Sequence, residues 1–71
     1  MKSSYKLNNK IRVLRAEKNW TQDQLSNKVG ATRQTISAIE NKEFNPSTKL
    51  ALLITRAFDA DFEDVFFLDG D

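Results

Sequence analysis

Arg33, Gln34, Ser37 and Ala38 fall on the outward side of one short helical segment, and their chemistry suits the edges of nucleic-acid bases. Arginine can bond both guanine O6 and N7, and glutamine can do the same with adenine N6 and N7. Ala38 is too short to hydrogen-bond, which leaves contact with a thymine methyl or plain helix surface. Thr32, one residue upstream, is first a helix cap and only second a reader through its methyl group. Arg33 follows that cap directly, where a cation opposes the helix dipole, so an external anion or guanine would account for it better than solvent does. Other chemistries have less material. The 71 residues contain no histidine and no cysteine, which rules out triads built on either and argues against a zinc site. Asp59, Asp61, Glu63 and Asp64 are spaced as caps and solvated helix surface rather than as a cation site. No catalytic residue, metal or cofactor is expected, and the chain reads as a non-enzyme.

The elements that must hold those residues are legible from local rules. Leu25, Val29, Ile36 and Ile39 recur at helical spacing, with Ser26 small enough for close approach and Gly30 suited to a positive φ between two helices. Thr21-Gln22-Asp23-Gln24 is a capping box, and Trp20 with Leu25 makes a hydrophobic staple around it. Together these predict a helix over residues 22–29 and, after the cap at Thr32, another over 33–42. A first helix is expected from Asn8 or Asn9 to Lys18, with Leu7, Ile11 and Leu14 as its apolar stripe. Asn45-Pro46 reads as cap and first helical residue of a fourth helix reaching Phe58, with Leu50, Ile54, Ala57 and Phe58 inward. Asp61 opens a short fifth helix burying Phe62, Val65 and Phe66. The expected fold is all-α with five helices. Residues 5–7 and 66–68 either pair as a small two-stranded terminal ribbon or stay unpaired. Trp20 and the five phenylalanines are assigned to the core, which argues against a single-strand binder with exposed stacking platforms.

Charge sharpens the reading. The net value is only +1, but residues 1–49 carry ten Lys/Arg against four acids, and residues 50–71 carry one Arg against six. A polyanion would therefore approach the basic half, which holds the helix pair. Lys10, Lys28, Lys42 and Lys49 are candidates for phosphate contact, as is Gln22, placed where a helix start offers free N–H groups and the positive dipole end. No apolar run approaches a membrane span, and the opening MKSSYKLNNK lacks a secretion-signal core, so a cytoplasmic protein with no membrane partner is expected. One 71-residue domain is expected, with a modest core.

Leu14-Arg15, Trp20-Thr21-Gln22, Leu25, Val29-Gly30, residues 32–37, Ile39-Glu40 and Asn45-Pro46-Ser47 together resemble the helix-turn-helix domain of lambda-repressor and Cro-like transcriptional regulators. The likeness is strongest to short stand-alone members, which are five-helix dimers with a small β-ribbon that repress promoters through inverted repeats. It covers roughly residues 7–68. It implies base reading by Arg33, Gln34, Ser37 and Ala38, and phosphate contact by Gln22, Asn41 and Lys42; Thr21, chiefly a helix cap, is grouped with the candidate phosphate contacts. It further implies a structural ion pair between Arg15 and Glu40. Leu53 stands where relatives often have lysine, and Asp59 where glycine or asparagine is usual. Leu53, Phe67 and Leu68 are the candidate dimer surface. The partners implied are double-stranded DNA and a second copy of the chain, with no small-molecule effector. The main rival is a protein-interaction module such as an antitoxin, whose disordered or amphipathic extension is not expected here.

Overall fold

The computed structural model describes residues 5–70; Lys2 and Asp71, both part of the charge asymmetry, lie outside them. Among the described residues the order is β1 (Lys6–Asn9), α1 (Ile11–Lys18), α2 (Gln22–Val29), α3 (Arg33–Glu40), α4 (Thr48–Ala57), α5 (Phe62–Val65) and β2 (Phe66–Asp69). The two strands pair antiparallel, Lys6 opposite Asp69 and Asn9 opposite Phe66, so the terminal ribbon forms. Lys10 N–H extends it by donating to the Val65 carbonyl at 2.9 Å.

The first helix begins later than periodicity suggests. Asn8 and Asn9 belong to β1, and the Asn9 side chain does two jobs that neighbouring residues do not reveal. Its Oδ1 accepts from the Ile11 amide at 3.1 Å, and its Nδ2 donates to the Ile39 carbonyl at 2.9 Å. One residue thus ties the helix start to the end of α3. Leu7, expected on the first helix, packs on the core from the strand instead. The fourth helix also starts late: Ser47 is its cap, with Oγ accepting from the Leu50 amide at 3.1 Å, and Asn45-Pro46 leads into it. A serine three residues before an available N–H wins over the proline signal.

The capping box forms as spaced, with Gln24 N–H donating to Thr21 Oγ1 at 3.0 Å and Thr21 N–H to Gln24 Oε1 at 2.8 Å. α1, α2, α3 and α4 each run into a residue at positive φ: Asn19, Gly30, Lys42 and Asp59. After three of them the chain closes a paired reverse-bond motif; after α3, Lys42 N–H donates to Ile39 and Glu43 N–H to Ala38. Asparagine and aspartate accept this left-handed conformation better than most residues, and lysine has no such excuse.

Ile11, Leu25, Ile36, Ile39, Ile54, Val65 and Phe66 are fully buried, each contributing about 1.5–3 kcal/mol through burial. α2 lies against both α3 and α4, which seats the helix pair on the core. Trp20 stacks on Phe58 with ring centroids 5.4 Å apart, pinning the first turn to the end of α4. The aromatic assignment needs correction, however. Phe58 and Phe66 are buried, but Phe44, Phe62 and Phe67 are exposed. Phe62 heads a one-turn helix, too short to turn every apolar residue inward.

Candidate nucleic-acid interface

α3 stands with its N-terminal residues outward. Thr32 Oγ1 accepts from the Thr35 amide at 3.1 Å and lies 2.9 Å from Thr35 Oγ1, so its hydroxyl is committed to the helix start. Arg33 and Gln34 follow, both exposed, and neither side chain bonds to another described residue. Ser37 and Ala38, one turn on, are half-buried beside the inward Ile36 and Ile39. The acidic C-terminal strand approaches the other end of α3. There Asp69 Oδ2 lies 3.6 Å from Lys42 Nζ and accepts from Asn8 Nδ2 at 3.2 Å. The head of α3 is left open.

A single carboxylate links the end of α3 to α1 and to the start of α2. The Glu40 side chain is 1% exposed and sits among three elements. Arg15 Nε donates to its Oε2 at 2.6 Å and Nη2 to its Oε1 at 3.1 Å, a two-pronged pair with the Arg15 side chain only 14% exposed. The remaining prong, Arg15 Nη1, donates to the Trp20 carbonyl at 2.9 Å. Gln22 Nε2 donates to Glu40 Oε1 at 3.1 Å, and Arg12 Nε lies 3.5 Å from the same oxygen. Burial opposes ionisation of Glu40 and is the largest single influence on it. The hydrogen bonds from Arg15 and Gln22, with the fields of Arg15 and Arg12, together outweigh burial and hold the carboxyl below the ordinary glutamate range.

The residues singled out from sequence do not all gather. Arg15, Gln22, Glu40 and Asn41 converge at one corner, where the start of α2 meets the end of α3, with Thr21 capping α2 beside it. Gln22 is half-buried and bonded to Glu40 through one amide N–H, and its second amide N–H has no partner among the described residues. Lys28 lies elsewhere: its Nζ sits 4.6 Å from the centre of the Trp20 ring, with Lys18 Nζ at 5.6 Å. Lys10 is exposed at the head of α1, and Lys49 is exposed in the first turn of α4. Sequence reasoning misses Arg12, which by spacing alone simply faces water. The side chain is 68% exposed, yet its Nη2 donates to Asn41 Oδ1 at 3.3 Å. Nothing local signals this, because the partners lie 28 and 29 positions downstream.

Of the apolar residues assigned to a partner surface, Leu53 is half-buried against the core, while Phe67 and Leu68 are exposed. Leu52, which sequence reasoning does not single out, is 49% exposed on α4. Among the described residues, no cluster of three or more His, Cys, Asp or Glu could hold a metal, and no helix is long and apolar enough to cross a membrane.

The sequence model of the Helix-turn-helix family matches residues 11–65. An uncharacterized HTH-type transcriptional regulator of Bacillus subtilis, YgzD, is 46% identical over 63 residues, spanning 89% of this chain and 96% of that protein. Another, from Methanocaldococcus jannaschii, is 43% identical over 65 residues, spanning 92% and 98%. The solved structure of the transcriptional regulator VanUg superimposes with a TM-score of 0.81 over 99% of this chain and 93% of its own, at 21% identity. At that identity the likeness speaks to the fold.

Proposed function

The chain belongs to the helix-turn-helix family of lambda-repressor and Cro-like regulators, and we propose that it is a homodimeric repressor reading an inverted-repeat operator through the major groove. The observation that carries this reading is the open head of α3, with Arg33 and Gln34 exposed and unpartnered among the described residues. In that pose α3 lies in the groove, Arg33 and Gln34 read base edges, and Ser37, Ala38 and the Thr32 methyl lie within reach of the next bases. Thr21 and Gln22 at the start of α2, with Asn41 and Lys42 after α3, meet the flanking phosphates. Lys10 and Lys28 add positive charge further out. The Arg15–Glu40 pair touches no base; its part is to fix the angle of α3 relative to α1 and α2. Repression follows from occluding polymerase in the cytoplasm, with no effector.

One recognition helix reads only a few base pairs, so two copies are needed for useful affinity. Leu53, Phe67 and Leu68 supply the partner surface in this proposal, joined by Leu52. Leu68 at 64% exposure has little to gain from standing alone in water. The test is selection of bound duplexes from a random pool. Two half-sites in inverted orientation, about 34 Å between centres or a multiple of that, are the expected product. A pool with no enrichment, or one enriched for a single asymmetric site, would remove the proposal.

Lys42 offers a test that separates binding from stability. Its φ of 64° disfavours a side chain by roughly 1–2 kcal/mol, and its exposed contact with Asp69 returns little. Lys42→Gly should therefore stabilise the fold by up to about 1 kcal/mol, read as a higher melting temperature. The same variant should bind all duplexes more weakly and show a shallower salt dependence, since a phosphate cation is gone. Weakening confined to one base position would contradict the phosphate role.

A further inference from the structure

The geometry points to Arg12 as a DNA-phosphate ligand, the central cation of a clamp completed by Gln22 and Asn41 and held from beneath by Glu40. This rests on the DNA-binding reading above and adds to it a residue that the helix-turn-helix pair does not contain. Arg12 Nε and Gln22 Nε2 both lie close to one oxygen, Glu40 Oε1, at 3.5 and 3.1 Å, so the two donors are neighbours. Arg12 Nη2 also donates to Asn41 Oδ1 at 3.3 Å, which places the guanidinium between two side chains from different helix ends.

The carboxylate cannot be the whole reason for this cation. Glu40 already receives two prongs from Arg15, at 2.6 and 3.1 Å, and a third bond from Gln22. Arg12 adds only a longer contact, while its side chain remains 68% exposed. Its Nη1 has no partner among the described residues, and the second N–H of Gln22 has none either. Two adjacent donors, one of them charged, match the two free oxygens of a single phosphate. The contacts to Glu40 and Asn41 hold a long side chain in place before binding, so less rotamer freedom is given up when the anion arrives. The buried Glu40 charge is balanced by Arg15, which leaves Arg12 a net positive face for the backbone.

Anisotropy of a labelled duplex from the selected pool, titrated between about 50 and 200 mM salt, separates this role from a structural one. Arg12→Gln should bind about tenfold more weakly at the lower salt, with the slope of log K against log salt reduced by about 0.9 per protomer. Arg12→Lys should keep the slope and lose part of the affinity, because the charge stays and the paired prongs go. The ranking of duplex sequences should not change in either variant. A lower melting temperature with an unaltered salt slope would mean that Arg12 serves the fold alone, and would overturn the assignment. Wild-type binding matched by Arg12→Gln overturns this assignment and leaves the regulator reading standing; a wild-type chain that binds no duplex overturns both.

Discussion

Glu40→Ala should leave most of the chain unfolded at ordinary temperature. Removing one partner of a buried ion pair costs about 3–5 kcal/mol, and the core of a domain this small supplies stability of the same order. The cost arises on the arginine side. Arg15 is 14% exposed and would keep only the Trp20 carbonyl, while Gln22 would lose the acceptor for its amide. Glu40→Gln is the milder variant, retaining an oxygen for one donor while losing the charge. Circular dichroism against temperature distinguishes them: Glu40→Ala should show little or no cooperative transition, and Glu40→Gln a transition at reduced temperature. If Glu40→Ala melts like the wild type, the carboxylate is not the support of α3. The Arg12 contact contributes little by comparison, because an ion pair with one partner so open to water is worth about 0–1 kcal/mol.

The same group makes part of the fold's stability depend on acid pH. Its folded pKa lies below its unfolded value, so the stabilisation is fully present above the ordinary glutamate range of about 4.3. As the pH falls through and below that range, the unfolded chain takes up the proton first and the contribution drains away. It is gone once the pH passes beneath the folded pKa. Acid titration of the melting temperature should show this decline in the wild type, and less of it in Glu40→Gln, which has no proton to bind at that position.

The parts of the site that sequence reveals correctly are those fixed by neighbours. Thr21 and Gln24 bond each other across three residues, Thr32 caps α3 and Gly30 turns the chain, all within one helical turn. Such contacts leave a pattern because spacing alone decides them. The parts that sequence misleads on depend on residues distant along the chain. Asn9 reads as helical because nothing nearby shows that its amide reaches Ile39, 30 positions on. Gln22 suggests a phosphate ligand but gives no sign of its bond to Glu40, and Arg12 is silent for the same reason. Hydrophobicity sends Phe44, Phe62 and Phe67 to the core, but a core of this size fills before every aromatic is accommodated. Asp59 signals a positive φ by its type, whereas lysine at position 42 gives no local warning of that conformation.

Arg33→Ala tests the functional reading most directly, because binding and stability should move in opposite directions. Arg33 is the first residue of α3, exposed and with no ion pair among the described residues, so its truncation leaves no group stranded. Its charge opposes the helix dipole, and alanine should recover about 0.3–1 kcal/mol of stability. A two-pronged contact to guanine is worth about 1–3 kcal/mol of discrimination, and a dimer on two half-sites forfeits it twice. Affinity for the selected duplex should therefore fall far more than in a single phosphate variant. Repeating the selection with Arg33→Ala should relax one base position in each half-site and leave the others as they were. Gln34→Ala should relax a different, adjacent position, because successive residues on α3 face different bases. The salt slope tells base-edge from backbone binding: it should change far less for Gln34→Ala than for Lys42→Gly or Arg12→Gln. An Arg33→Ala protein with unaltered preference and a flattened salt slope would place this arginine on the backbone, and specificity would then have to come from Gln34, Ser37 and the shape of the duplex.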